Sequence, residues 1–155
     1  MKVAELMITP PVTVPPETTA RQAAARMAAE AVGCVLVADG GALCGIVTDR
    51  DLVLRALATT AGPDTRVSQL MSAPAVTVEA AQDVEVAYRT FRRTGVRRLP
   101  VLDEHRLVGV LALDDLLLDV LYRLFDLLGP ISWSALHEGG PDADAPPIRS
   151  LWRTP

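Results

Sequence analysis

The sequence predicts an α/β (α+β) fold of two β-α-β-β-α units about a pseudo-two-fold axis, with a helical extension and a tail. Two observations carry that prediction. The chain repeats itself in a constant register: Val3-Ala-Glu-Leu-Met7 falls on Val67-Ser-Gln-Leu-Met71, Val12-Thr-Val14 on Val76-Thr-Val78, Gly45 on Gly109 and Asp51-Leu52 on Asp115-Leu116. Within each copy, short runs of period two surround a stripe of helical period. The composition agrees: 50% of residues are apolar but only 4% aromatic, which suits an α/β protein packed from small aliphatics.

Each copy opens with a segment ending in Met7 or Met71, then turns at Pro10 or Pro74 into the β-rich run Val12–Val14 or Val76–Val78. The first helix follows. In copy one Ala20, Ala23, Ala24, Met27, Ala28 and Ala31 form an apolar stripe, with Thr18 or Thr19 as cap and Gly33 as stop. In copy two the stripe is Val84, Ala87, Tyr88 and Phe91, capped by Asp83 and stopped by Gly95. A hairpin comes next, Cys34–Ala38 with Leu43–Val47 and Arg98–Leu102 with Leu107–Leu111, turning at Asp39-Gly40-Gly41 and Asp103-Glu104-His105. The second helix starts near Asp49 and near Asp114.

The division expected is repeat one over 2–58, a linker over 59–65, repeat two with a lengthened last helix over 66–128, and a tail over 129–155. A unit of about 55 residues is marginal by itself, so the copies are expected to share an interface. Along the last helix Asp115, Asp119, Arg123 and Asp126 form a narrow polar stripe, with Asp119 and Arg123 paired four apart. Leucines, Val120, Tyr122 and Phe125 fill the remaining circumference, which needs burial on more than one side and points to a homodimer interface. Gly129-Pro130 is expected to end that helix; the Pro/Gly/Asp-rich stretch from Gly139 reads as flexible, with Trp152 as an anchor on a partner.

Composition excludes several function classes. A net charge of −4 argues against nucleic acid as an electrostatic partner. The apolar stretch from Leu111 to Leu128 is broken by Asp114, Asp115, Asp119, Arg123 and Asp126, so no membrane span is expected, and with no signal peptide visible the expected compartment is the cytoplasm. A two-residue turn at Gly40-Gly41 would pair Val37 with Cys44, leaving Cys34 about three residues, or about 10 Å, out of register for a disulfide. Reduced core thiols are expected, with a redox or metal pair as the alternative. His105 and His137 sit in a turn and in the tail, and the chain lacks a nucleophile elbow, a phosphate-binding glycine loop and zinc-like spacing, so no enzyme is expected.

Chemistry concentrates where strand meets helix. In Gly45-Ile-Val-Thr48-Asp-Arg-Asp51 a hydroxyl and a carboxylate stand three apart in the first helical turn. That spacing is a capping box needing no ligand, but it also offers N–H groups to an anion and a carboxylate to a diol. In Gly95-Val-Arg97-Arg98-Leu-Pro100-Val two arginines open an apolar strand, where alternation sends one to each face and at least one toward something anionic. Arg89, Arg92 and Arg93 on the preceding helix read as a solvated face.

These motifs resemble a tandem pair of CBS domains, a Bateman module: Met-x-x-P-x-V-T-V at each start, the G-V-R-R-L-P-V-L-D strand and the L-x-G-I-V-T-D-R-D-L end. The likeness covers residues 2 to about 125 and is similar to small stand-alone bacterial members. It implies a non-catalytic regulatory module binding AMP, ADP, ATP or S-adenosylmethionine in clefts between the units, a homodimer, and an unidentified regulated protein. By the resemblance Asp51 takes the ribose hydroxyls with Thr48 near the phosphates, Arg97 and Arg98 take phosphate, and Ile8, Thr9 and Val12 line the base pocket. The equivalent second cleft keeps Asp115 but has Ala112, Gly33 and Cys34 where the first has Thr48, Arg97 and Arg98. One intact cleft per chain is therefore expected. The rivals are a ligand-free scaffold docking through the last helix and tail, and a sensor built on Cys34 and Cys44.

Overall fold

The computed structural model describes the backbone of residues 1–136 and the side chains of residues 1–128. Its elements run β1 (Thr13–Val14), α1 (Ala20–Ala29), β2 (Cys34–Asp39), β3 (Ala42–Thr48), α2 (Asp49–Asp51, continued as a π-helical run Leu52–Leu57), β4 (Val78–Glu79), α3 (Val84–Thr94), β5 (Arg98–Asp103), β6 (Arg106–Ala112) and α4 (Leu113–Leu136). Short 3-10 turns at Val3–Glu5 and Val67–Gln69 open the two copies. The chain divides into two compact units, Met1–Ala112 and the part from Leu113 onward.

Within the first unit lie two three-stranded sheets, β1-β2-β3 and β4-β5-β6, each with a parallel outer pair and an antiparallel hairpin. The paired stretch is shifted by one residue between their parallel pairs. Leu36 pairs with Thr13 and donates its N–H to Val12, whereas its counterpart is Pro100, which has no N–H to give. The second sheet therefore picks up its outer strand only at Val78.

The opening segments are exchanged between the repeats. Val67 and Ser68 donate their N–H groups to Thr18 and Pro16 of copy one, and Val3 and Ala4 donate to Gln82 and Ala80 of copy two. Val67 and Leu70 accordingly belong to the core built on Val14, Ala23, Met27, Val35, Val37, Val47 and Leu52. Beyond them Ser72 bridges to Ile46 on the edge of β3, and Ile8 to Val110 on the edge of β6. Gly45 and Gly109 leave space for these crossings: a Cβ on Gly45 would stand 2.7 Å from Met71 Sδ, and one on Gly109 2.7 Å from Met7 Sδ.

Local signals explain the helices. Thr19 caps α1 in a reciprocal box with Gln22, and Asp83 caps α3 by accepting from the N–H of Glu85. Gly95 closes α3 at φ 72°, the left-handed region that glycine enters without a Cβ clash. Three expectations are corrected. Only Ala20, Ala23 and Met27 of the copy-one stripe are buried, while Ala24, Ala28 and Ala31 are exposed, and α1 ends at Ala29 with Ala31 rather than Gly33 in the left-handed region. Val37 stands opposite Gly45 rather than Cys44, because a bulge leaves Cys44 without a partner across the hairpin. Gly129-Pro130 does not end α4, since proline's fixed φ is helical and its cost is one lost hydrogen bond and a local clash that a long run absorbs. The expected flexible stretch from Gly139 and the Trp152 anchor lie outside the described residues.

Candidate ligand-binding site

Thr48 ends β3 and, with no intervening loop, caps the helix that follows. Its N–H and its hydroxyl both donate to Asp51 Oδ2, at 2.9 and 2.8 Å, and its Oγ1 accepts the Asp51 N–H at 3.1 Å. Asp51 Oδ1 pairs with Arg55 Nη2 at 3.2 Å. Arg55 in turn donates from Nη1 to the Leu70 carbonyl at 2.6 Å and from Nη2 to Ser72 Oγ at 3.2 Å. Arg55 thus ties the carboxylate to the segment arriving from copy two. The only trace of this residue in the sequence is its position four after Asp51.

This arrangement fixes the carboxylate. Three donors reach two oxygens that offer about four lone-pair positions between them, so one more donor fits before an existing partner moves. A diol supplies two. The partner best placed to yield is Arg55, whose side chain is 46% exposed against 16% for Asp51.

Arg98 opens β5 opposite Ala112, half-buried, and donates from Nη1 to the Arg97 carbonyl at 2.9 Å; Arg97 is exposed. The charge of Arg98 is felt at Cys34, the first residue of β2 and the ladder partner of Thr48. Burial pushes the Cys34 thiol above its ordinary range, the Arg98 guanidinium partly offsets this, and Asp49 adds to the rise.

The other candidates trace a crossing between the sheets. Ile8 exchanges hydrogen bonds with Val110, at 2.8 and 3.1 Å. Thr9 gives its hydroxyl to the carbonyl of Val108, the unpaired residue of the β6 bulge, at 3.0 Å. Val12 accepts the Leu36 N–H and packs against the copy-one core. Of the three, Ile8 presents the most apolar surface, at 51% exposed. The residues expected to form a second cleft are divided. Gly33 accepts the Asp49 N–H at 3.0 Å, Cys34 is buried and Ala112 ends β6, all in the first unit. Asp115 lies in the first turn of α4, in the other unit. Cys34 and Cys44 are both free thiols. Among the described residues no group of three or more His, Cys, Asp or Glu is placed to hold a metal ion, and no helix is long and apolar enough to cross a membrane.

The chain is similar to several known proteins. The CBS domain-containing protein YhcV of Bacillus subtilis is 39% identical over 85 residues, 55% of this chain and 61% of that protein. The stretches matched cover 61%, 43% and 55% of the first three curated relatives, so the chain spans about half the length of the curated relatives it matches. Among solved structures, the CBS domain protein of Pyrobaculum aerophilum in complex with AMP is 30% identical with a TM-score of 0.70, over 78% of this chain and 98% of that one. Hypoxic Response Protein I, solved with two coordinated zinc ions, is 28% identical with a TM-score of 0.70, over 76% and 97%. The CBS domain model itself matches residues 3–57 and 67–122, which are the two copies seen in the sequence, so the chain belongs to the CBS domain family and carries the domain twice.

Proposed function

We propose that this chain is a non-catalytic regulatory module of the cytoplasm that binds an adenosine phosphate in one cleft and passes that state to a partner protein. The observation that carries this reading is the Asp51 carboxylate, held at a strand-to-helix junction by Thr48 and Arg55. Ribose hydroxyls donate to Asp51, the hydroxyl of Thr48 and the cations of Arg97 and Arg98 face phosphate, and Ile8 covers the base. Support also comes from the AMP held by the Pyrobaculum aerophilum protein, whose chain is nearly fully matched. The second cleft, with Ala112, Gly33 and Cys34 in place of a hydroxyl and two cations, is weak toward charged nucleotides. Losing two charge-assisted contacts of roughly 1.5–3 kcal/mol each removes several orders of magnitude in affinity.

The module acts as a homodimer. Val53, Leu54 and Leu57 in copy one and Leu117, Leu118 and Leu121 in copy two stand at equivalent positions, and all six are at least 38% exposed. Apolar side chains left in water at equivalent positions of each copy fit self-association. The same feature favours the second reading, a scaffold that has lost its ligand.

Calorimetry with AMP, ADP, ATP, NAD and S-adenosylmethionine separates the two. The expected result is one site per chain for an adenosine phosphate, lost in Asp51→Ala. Because that variant also loses the Asp51 half of the capping box, Arg98→Ala, which leaves the box intact, is measured beside it. In thermal denaturation a ligand at about 100 times its Kd adds about 2.7 kcal/mol. Binding by none of the five below about 1 mM would leave the scaffold standing, and unchanged affinity in both variants would refute the Asp51 site.

A further inference from the structure

The outer surface of α3 carries a groove of about 470 Å³ lined by Val86, Arg89, Thr90, Arg92 and Arg93. Its floor is the half-buried Val86 and the buried Thr90, whose hydroxyl is turned back onto the Val86 carbonyl at 2.8 Å. Its walls are three guanidinium groups. Arg89 shares an exposed ion pair with Glu85 at 3.3 Å, and among the described residues Arg92 and Arg93 have no acidic partner.

The fold does not require this charge. Arginines three and four apart on one helix repel, as Arg89 does with Arg92 and Arg93. A cation in the last turn favours the helix C-terminus, but one would suffice. In the first repeat Arg89, Arg92 and Arg93 fall on Ala25, Ala28 and Ala29, and the buried Thr90 falls on Arg26, which is exposed and paired with Glu30. The second repeat thus carries a three-arginine cluster that the first lacks, in a chain whose net charge is −4.

We infer that this groove docks an acidic segment of a partner protein. A surface formed by one helix does not enclose a small anion as a ligand pocket must. Arg89 and Arg93 stand about 6 Å apart along the helix, close to the spacing of alternate residues in an extended chain, so carboxylates two apart meet both guanidiniums. Arg92 widens the contact, and the residue between the two carboxylates points away from the helix.

The test uses the full chain without nucleotide and a fluorescein-labelled (Glu-Ala)6 peptide in fluorescence anisotropy. The expected result at about 50 mM salt is saturable binding that weakens steeply by about 300 mM. Arg92→Glu with Arg93→Glu lowers affinity at least about tenfold, and a (Lys-Ala)6 peptide does not bind. Arg92→Ala with Arg93→Ala copies Ala28 and Ala29 of the first repeat, so it keeps the helix and still weakens the peptide. No saturation by about 5 mM peptide, or wild-type affinity in both double variants, overturns the inference. Inorganic tripolyphosphate binding more tightly than the peptide also overturns it, in favour of a small-anion site. Loss of AMP binding in Asp51→Ala leaves this outcome untouched, so the two sites fail separately.

Discussion

Gly45→Ala tests whether the exchanged segments hold the repeats together. The new Cβ would meet Met71 Sδ at 2.7 Å, Ser72 O at 2.8 Å and Met71 Cγ at 3.0 Å. The thioether can rotate away, but the Ser72 carbonyl is backbone and already accepts the Ile46 N–H at 3.2 Å. Relief requires the segment to lift off β3, which costs about 1–3 kcal/mol in overpacking and about 0.5–1.5 kcal/mol for each bridging hydrogen bond lost. Restricting the unfolded chain returns about 0.4–1 kcal/mol, leaving a net loss of about 1–5 kcal/mol with both bridging bonds gone. At about 2–4 °C per kcal/mol for a chain of this size, the melting temperature falls by roughly 2–20 °C. Gly109→Ala meets Met7 Sδ at 2.7 Å and Ile8 O at 2.9 Å and should match it. Gly33→Ala is the control, because its Cβ comes no closer than 3.5 Å, to Asp49 Oδ2. Differential scanning calorimetry decides: a Gly45→Ala protein melting within about 1 °C of wild type, or a Gly33→Ala protein equally damaged, refutes the reasoning.

The second hairpin turn holds Glu104 at φ 46° and His105 at φ 70°, where copy one uses Gly40 and Gly41. Glu104→Asn with His105→Gly supplies residues suited to that region and should raise stability by about 1 kcal/mol in urea denaturation; no gain would mean the turn carries no strain. Burial holds the Cys34 thiol above its ordinary value of 9.0, so folding favours its neutral form. That stability is present below the ordinary value and is lost as pH rises beyond it, when the unfolded chain ionises first. Alkylation by iodoacetamide should modify Cys44 before Cys34, and equal rates would contradict the burial.

Much of the architecture was legible because it is local. Thr19, Asp83 and Gly95 announce helix ends through the N–H and C=O groups they satisfy, and Gly40-Gly41 announces a turn by its φ preference. The Thr48–Asp51 box was legible for the same reason. The exchange of opening segments was not. A repeat in fixed register reports that Val3 and Val67 are equivalent, but not whether each packs on its own copy or the other. The α1 face was misjudged because alanine spacing discriminates poorly between a buried stripe and an exposed one. Arg55 was missed because its Leu70 and Ser72 partners arrive through the same exchange.

That exchange gives the asymmetry between the repeats its consequence. Arg55 pairs with Asp51 four residues before it, and Leu70 and Ser72 of copy two, which lie beside β3, hold its guanidinium in place. At the equivalent place in copy two the sequence has Asp119, paired with Arg123 at 2.7 Å, and Ala112 replaces Thr48. Asp115 therefore has neither the hydroxyl nor the guanidinium that orient Asp51, and a second carboxylate stands four residues on, where like charges repel. A preorganised carboxylate offers its lone pairs to a diol without first ordering its own neighbours, whereas Asp115 would pay that ordering on binding. The repeats thus differ at the residues that the proposed ligand's charge would meet, and under that proposal recognition falls to the Thr48–Asp51–Arg55 corner.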